Sequence, residues 1–414
     1  MAGKGSTLAD KPMQSAARAA RRAVLLDQAA QEFRSRGVAG ADLVLIARSV
    51  GLSRPSLYNY CSDRTDLARQ CYLHLLEPLV QDLGSAAAGG GRGLEAVLDF
   101  LSAVRDRDHS HAIIAAELDA LPGADRREIS EHQHAAFELL AGLIDRGIAD
   151  GSIRSCDPAI AARTIWGMIA WAPLGDIWAR RADQDVSGHL SVELPAIIER
   201  GVATGAPPAS LEEAAIEPWS VLAPPRPDDR AGEIIAAAST LFNARGVEGV
   251  SLDDVAAGLG ATKGLVYHHF ESKADLVSAC LERAFDIYAR LLDRAESNTS
   301  GVERSRAGLA LNVQAQLDPR GPMSLSAASY HKLSASRQDR FSALTNALLD
   351  RSIAMMRLGN ADGTLRPFEA EPTALASAGA FNFVARWLPR KHAASHRQVA
   401  FEVSNLFLHG LRRN

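Results

Sequence analysis

Two stretches of this 414-residue chain are written on one template. Gly51 to Leu67, GLSRPSLYNYCSDRTDL, aligns without a gap on Gly260 to Leu276, GATKGLVYHHFESKADL. Carried back to Phe33, the register keeps 11 of 35 positions identical, among them Phe33/Phe242, the Arg-Gly-Val triplets 36–38 and 245–247, and Tyr58/Tyr267. So long a gapless register is hard to obtain by chance in a chain of ordinary composition. The sequence therefore contains a duplication, and the fold must house both copies.

A chain of this length exceeds one small core, so two or more domains are expected. Hydrophobic content of 47% with only 6% aromatic residues favours packed helices over a sandwich or barrel. No apolar run approaches the roughly 20 residues needed to cross a bilayer. The basic N-terminus has no following apolar region, which excludes a secretory signal. Cys61, Cys71, Cys156 and Cys280 show no CxxC pairing, so neither a disulfide framework nor a thiolate zinc site is expected. A cytoplasmic protein that does not enter the membrane is the plain reading.

The net charge of -4 hides an asymmetry. Residues 1–75 carry eleven Lys/Arg against six Asp/Glu, whereas residues 226–285 carry six against nine. Charge acts within about a Debye length, so the first copy can attract phosphates whatever the rest of the chain carries. The second is electrostatically the poorer.

The segment 204–229 holds six of the 18 prolines and separates the copies. Proline fixes φ and removes a donor, so this reads as a linker with extended stretches. On either side the periodicity is helical. Helices are expected near 16–36, 42–50, 54–60, 64–83, 92–106, 110–120, 125–149, 157–182 and 187–202. The order recurs near 229–245, 252–258, 263–269, 272–297, 302–317, 323–333, 336–357, 372–388 and 393–411. GSIR at 151–154 answers GTLR at 363–366, so the duplication extends beyond the first motif.

Within each template two short helices flank a glycine. Asp42 and Ser251 are placed to cap the first, Ser53 and Thr262 the second, and Gly51 and Gly260 lie in the turn. Pro55 falls in a first turn, where a missing N–H costs little. This is a helix-turn-helix arrangement, whose second helix reads base edges in the major groove.

LSRPSLYNY followed by DRTDL, and ATKGLVYHHF followed by ESKADL, resemble the TetR family of bacterial transcriptional repressors. The signature covers about 45 residues per copy. The resemblance implies an all-α fold of two tandem lobes, each a three-helix head on a helical ligand-binding and dimerisation body, paired as an intrachain pseudo-dimer. The expected division is an N-terminal arm (1–15), head 1 (16–66), body 1 (67–203), linker (204–228), head 2 (229–275) and body 2 (276–414). The partners so implied are a double-stranded DNA operator and a small-molecule effector, with a homodimer of chains as a further possibility. The last two helices of each lobe would form the central bundle.

Mapped onto this chain, the groove-facing positions are Arg54, Ser56, Asn59 and Tyr60, and Lys263, Leu265, His268 and His269. Ser53, Tyr58, Arg64, Ser251, Thr262, Tyr267 and Lys273 suit phosphate, which hydroxyls, cations and helix N-termini bind. The plainer alternative makes Tyr58 and Tyr267 core residues and Arg64 a solvated cap. Lys4, Lys11, Arg18, Arg21 and Arg22 form a basic arm that could follow the backbone or a minor groove, or remain a solubilising tail. Two departures weaken the heads: Cys61 replaces the aromatic that Phe270 supplies, and Leu265 is apolar at a groove position.

Effector candidates are Phe100, Phe137, Trp166 and Trp171, then Tyr288, Tyr330, Phe341, Phe381 and Trp387, with an ordinary aromatic core as the alternative. His109, His111, His132 and His134 do not suggest a metal, because i,i+2 pairs on a helix do not face one way. The cluster Arg386, Arg390, Lys391, His392, His396 and Arg397 could take an anionic group such as a coenzyme A thioester, or be a solvated helix end. No nucleophile motif or carboxylate pair supports catalysis, and no cofactor is expected. Two further readings stay open: head 2 retired, with head 1 reading DNA in a dimer of chains, or a ligand-binding scaffold that does not touch DNA.

Overall fold

The structure, a computed structural model, describes residues 10–106, 118, 121–179, 186–219, 229–382, 384, 388 and 394–413. Among these the chain is all-α, with two isolated β-bridges and no strand. The first half contains α1 (Asp10–Gly40), α2 (Leu43–Ser49), α3 (Arg54–Leu57), α4 (Arg64–Ala88), α5 (Gly93–Asp106), α6 (Gly123–Ala149), α7 (Pro158–Ala179) and α8 (Val186–Arg200). The second contains α9 (Arg230–Arg245), α10 (Leu252–Gly258), α11 (Lys263–His269), α12 (Lys273–Glu296), α13 (Gly301–Leu317), α14 (Ala327–His331), α15 (Ala335–Ala361), α16 (Ala370–Asn382) and α17 (His396–His409). No described helix is long and apolar enough to cross a membrane.

Three expectations need correction. Helix α1 starts at Asp10, inside the segment expected to be a loose arm, because Lys, Met, Gln and Ala are good helix formers. Helix α3 ends at Leu57; the Asn59 and Tyr60 amides donate three residues back, to Ser56 and Leu57, closing a tighter turn. The described part of the linker, 204–219, is tied down rather than a free coil. Thr204 N–H donates to the Thr364 carbonyl (3.1 Å), Arg397 donates to the Ile216 carbonyl, and Glu217 pairs with Arg294. Ala214 and Ile216 are buried there. The expected helix 110–120 lies outside the described residues except Leu118.

Helices α7, α8, α16 and α17 all pack on one another. At the far end of this bundle the two halves interlock reciprocally. Ala203 N–H donates to the Leu408 carbonyl (2.7 Å), and its counterpart Arg412 N–H donates to the Glu199 carbonyl (2.8 Å). Arg154 N–H donates to Leu411 (2.9 Å), and its repeat counterpart Arg366 to Val202 (2.8 Å). The bridges Ile153–Arg412 and Ala203–Leu365 are the same pair of counterparts exchanged. Gly201 and Gly410 occupy matching positive-φ positions (65° and 66°), where a Cβ would strike the opposing backbone at 2.2 and 2.5 Å. Contacts in which i meets j′ and j meets i′ are the mark of a two-fold interface, here made within one chain.

His409 sits beside this clasp, with Nδ1 3.2 Å from the Gly205 carbonyl and Nε2 3.1 Å from an Arg306 guanidinium nitrogen. A carbonyl only accepts and a guanidinium only donates, so the ring is neutral with its proton on Nδ1. Burial, then Arg306, holds its pKa down at about 4. The unfolded chain takes up this proton near pH 6.5, whereas the folded chain does so only near 4. The stability that neutral His409 contributes is complete above pH 6.5 and is lost as pH falls from there through 4. Urea midpoints at pH 7 and 5 should therefore differ less in His409→Gln, which keeps one donor and one acceptor; an unchanged difference would assign the slope to another group.

Candidate functional site

In the first head Asp42 caps α2 by accepting from the Val44 amide at 2.7 Å. Gly51 turns the chain at φ 68°, and Ser53 caps α3 through the Ser56 amide (3.2 Å). Leu57, fully buried, pins the recognition helix to the core. The opposite face is left outward: Ser53, Arg54, Tyr58 and Asn59 are exposed, while Ser56, Tyr60 and Arg64 are half-buried. Tyr58 is 45% exposed and its counterpart Tyr267 51%, so neither ring is a core plug. Arg54 meets no acid among the described residues.

Cys61 is buried and its thiol is pushed up to about 11 by burial, then by Asp66 and Asp63. Where the aromatic is missing, polar groups tie the neighbouring backbone. Gln70, itself buried, donates to the Tyr60 carbonyl (2.9 Å) and accepts twice from Arg22. Arg18 donates to the Asn59 carbonyl (3.3 Å) and lies 5.8 Å from the Tyr60 ring centroid. A polar tie replaces the carbon contacts that Phe270 supplies in the second head. Tyr60 is accordingly part of this tie rather than a free groove contact, and Arg18 and Arg22 are engaged with the head. Lys4 lies outside the described residues.

The second head uses a capping box, Ser251 with Asp254, and these hydrogen bonds hold Asp254 down at about 2. Gly260 makes the turn at φ 62°, and the Thr262 hydroxyl at the α11 N-cap makes no capping bond. Thr262, Lys263, Tyr267, His268 and His269 are exposed. Three assigned residues depart from the expectation. Leu265 is half-buried and packs on the core, as an apolar side chain should. Lys273 donates to the Glu248 carbonyl at 3.4 Å, and burial lowers its pKa. Lys263 is ion-paired with Asp253 on α10. Asp253 was missed in sequence, although the alignment carries the signal: its counterpart is Val44, which leaves Arg54 unopposed.

The aromatic candidates separate into core and cavity. Phe100, Phe137 and Trp166 are core residues, with Phe137 edge-on to Trp166 at 5.6 Å and covered by Arg163 at 5.0 Å. Tyr330 and Phe341 are buried around Phe285, and Trp178 from α7 joins them, 5.1 Å from Tyr330. A cavity of about 120 Å³ lies beside this cluster, between α12, α13, α15 and α16. Tyr288 and Phe381 line it, and Trp171 closes it from the other half of the chain. Trp387 lies outside the described residues, as do Arg386, Arg390, Lys391, His392, His109 and His111. His132 spends Nδ1 on its own helix, 2.9 Å from the Glu128 carbonyl.

Short capped helices meeting at a glycine turn, with an outward recognition helix on a helical body, define a helix-turn-helix DNA-binding fold. The model for bacterial regulatory proteins of the tetR family matches residues 234–280, and that for the Tetracyclin repressor-like C-terminal domain matches 94–174. The HTH-type transcriptional repressor KstR2 of Mycobacterium tuberculosis is 35% identical over 78 residues, covering 19% of this chain and 39% of that protein. KstR2 of Rhodococcus jostii is 28% identical over 158 residues, 35% of this chain and 75% of that one. The chain thus spans about two fifths of the length of the first of these relatives. The TetR family transcriptional regulator PfmR from Thermus thermophilus is 24% identical, with TM-score 0.39, covering 44% of this chain and 99% of that one. Both matched stretches, 94–174 and 234–280, are of the TetR type.

Proposed function

We propose that this chain is a ligand-responsive transcriptional regulator, a repressor, in which two TetR-like lobes form an intrachain pseudo-dimer and present two unequal recognition helices to one operator. The observation that carries this reading is the reciprocal clasp at Gly201 and Gly410, which gives one polypeptide the interface that two subunits otherwise share. The order of the family matches supports it. A C-terminal-domain match that precedes an N-terminal one (94–174 before 234–280) follows naturally if the chain holds two lobes. The heads are then 10–66 and 229–275, and the bodies 67–203 and 276–414.

A homodimer mirrors its symmetry in a palindrome, whereas heads carrying Arg54, Ser56, Asn59 and Lys263, His268, His269 ask for different half-sites. Light scattering should return a mass near 44.2 kDa, and selection of bound genomic fragments should return an asymmetric site. A mass of twice that value with a palindromic site would overturn the two-headed monomer. The Lys263–Asp253 pair favours a second reading, in which head 2 contributes little and head 1 dominates.

A further inference from the structure

We infer that the described residues form one effector seat, in the second half of the chain, and that the seat takes a neutral, mainly apolar molecule bearing a hydroxyl or N–H donor, of the phenol or cyclohexanol kind. This deepens the ligand-responsive reading and rests on it only for the consequence to DNA binding.

Three observations carry it. First, none of the described residues lining the cavity is charged, so nothing there offsets the desolvation of a carboxylate or a phosphate. Second, three lining side chains that are more than nine-tenths buried keep a polar atom without a partner: Asn312 Oδ1, Asn382 Oδ1 and Ser305 Oγ. Each asparagine nitrogen donates to the carbonyl four residues back, Gly308 (2.7 Å) or Ala378 (2.9 Å). Since a carbonyl only accepts, the amide orientation is fixed, and what faces outward from each asparagine is an acceptor. Buried acceptors without donors are costly in a folded core, and a ligand donor removes that cost.

Third, the first half has undone the same features. Gly93 N–H bonds to Asp150 as Gly301 N–H bonds to Asp362, which fixes α5 on α13 residue by residue. In that register Gly308 answers to Phe100, Ser305 to Val97 and Asn312 to Val104, while Asn382 answers to Ala170 in the α7/α16 register. Phe100 is 1% exposed. The ring occupies in one half the position that glycine leaves open in the other, and every orphaned polar group becomes hydrocarbon. The volume suits a single ring; a cavity of about 150 Å³ takes up benzene.

Calorimetry on the full chain without DNA, with phenol, benzene and benzoate as probes, tests this. Expected are one phenol per chain, benzene at least about tenfold weaker, and no benzoate. Gly308→Phe should abolish phenol uptake, and Asn312→Val with Asn382→Ala should bring the phenol-to-benzene ratio close to one. If Gly308→Phe does not fold by circular dichroism, that ratio in the asparagine variant decides. Absent phenol binding, two phenols per chain, equal benzoate binding, or a ratio that survives loss of both asparagines would each overturn the seat. Phenol binding that leaves operator affinity unchanged would keep the seat and remove its regulatory role.

Discussion

Gly379→Val should force the central bundle apart and destabilise the chain by about 3 kcal/mol or more, at the upper end of what overpacking costs. A Cβ at Gly379 would stand 2.7 Å from Met168 Cα, 2.8 Å from Trp171 Cβ and 2.9 Å from the Gly167 carbonyl. Two of these three atoms belong to the α7 backbone, so no rotamer change relieves the clash. Helices α7 and α16 must separate, and with them the surface on which the two halves meet. Because Trp171 walls the cavity and Trp178 enters the cluster around Phe285, the same separation should disturb the seat. Gly84→Ala is the matched control: nothing lies within 4 Å of its Cβ, so it should stabilise by about 0.4–1 kcal/mol through the unfolded state. Urea unfolding of both variants reads the contrast. Equal midpoints would show that α7 and α16 do not meet as closely as described.

Much of this was legible in the sequence, for reasons that differ by element. Long helices such as α12 were, because amphipathic periodicity is a local signal. The turns at Gly51 and Gly260 were, because the backbone there needs positive φ. The clasp was not. It is built from backbone amides and carbonyls at 198–203 and 408–412, and a main-chain bond leaves no side-chain signature. The fate of Tyr60 was hidden too, since it depends on Gln70, ten residues on, and on Arg18, far back in the chain. The cavity was half visible. Its aromatic wall could be listed, but the contrast of Gly308 with Phe100 needs a register that shifts by a residue between elements, because the loops differ in length.

The heads carry the second large effect. Arg54→Ala should weaken operator binding by about 1–3 kcal/mol, roughly 5- to 150-fold, whether that side chain is bidentate to guanine or set on phosphate. If it reads a base, the loss is confined to the matched half-site. If it sits on phosphate, the loss is uniform over sequences and the salt slope falls by about one. Lys263 starts from a different ground state. To reach DNA it must leave Asp253, and once it leaves, that carboxylate repels the phosphates. The informative change is therefore Asp253→Val, which copies Val44 of the first head. It should strengthen binding several-fold and steepen the salt slope, with the gain abolished in Asp253→Val/Lys263→Ala. These outcomes require head 2 on the DNA. If Asp253→Val and Lys263→Ala are both silent while Arg54→Ala is not, the second head has ceased to read, and the duplication survives as an interface and a ligand seat.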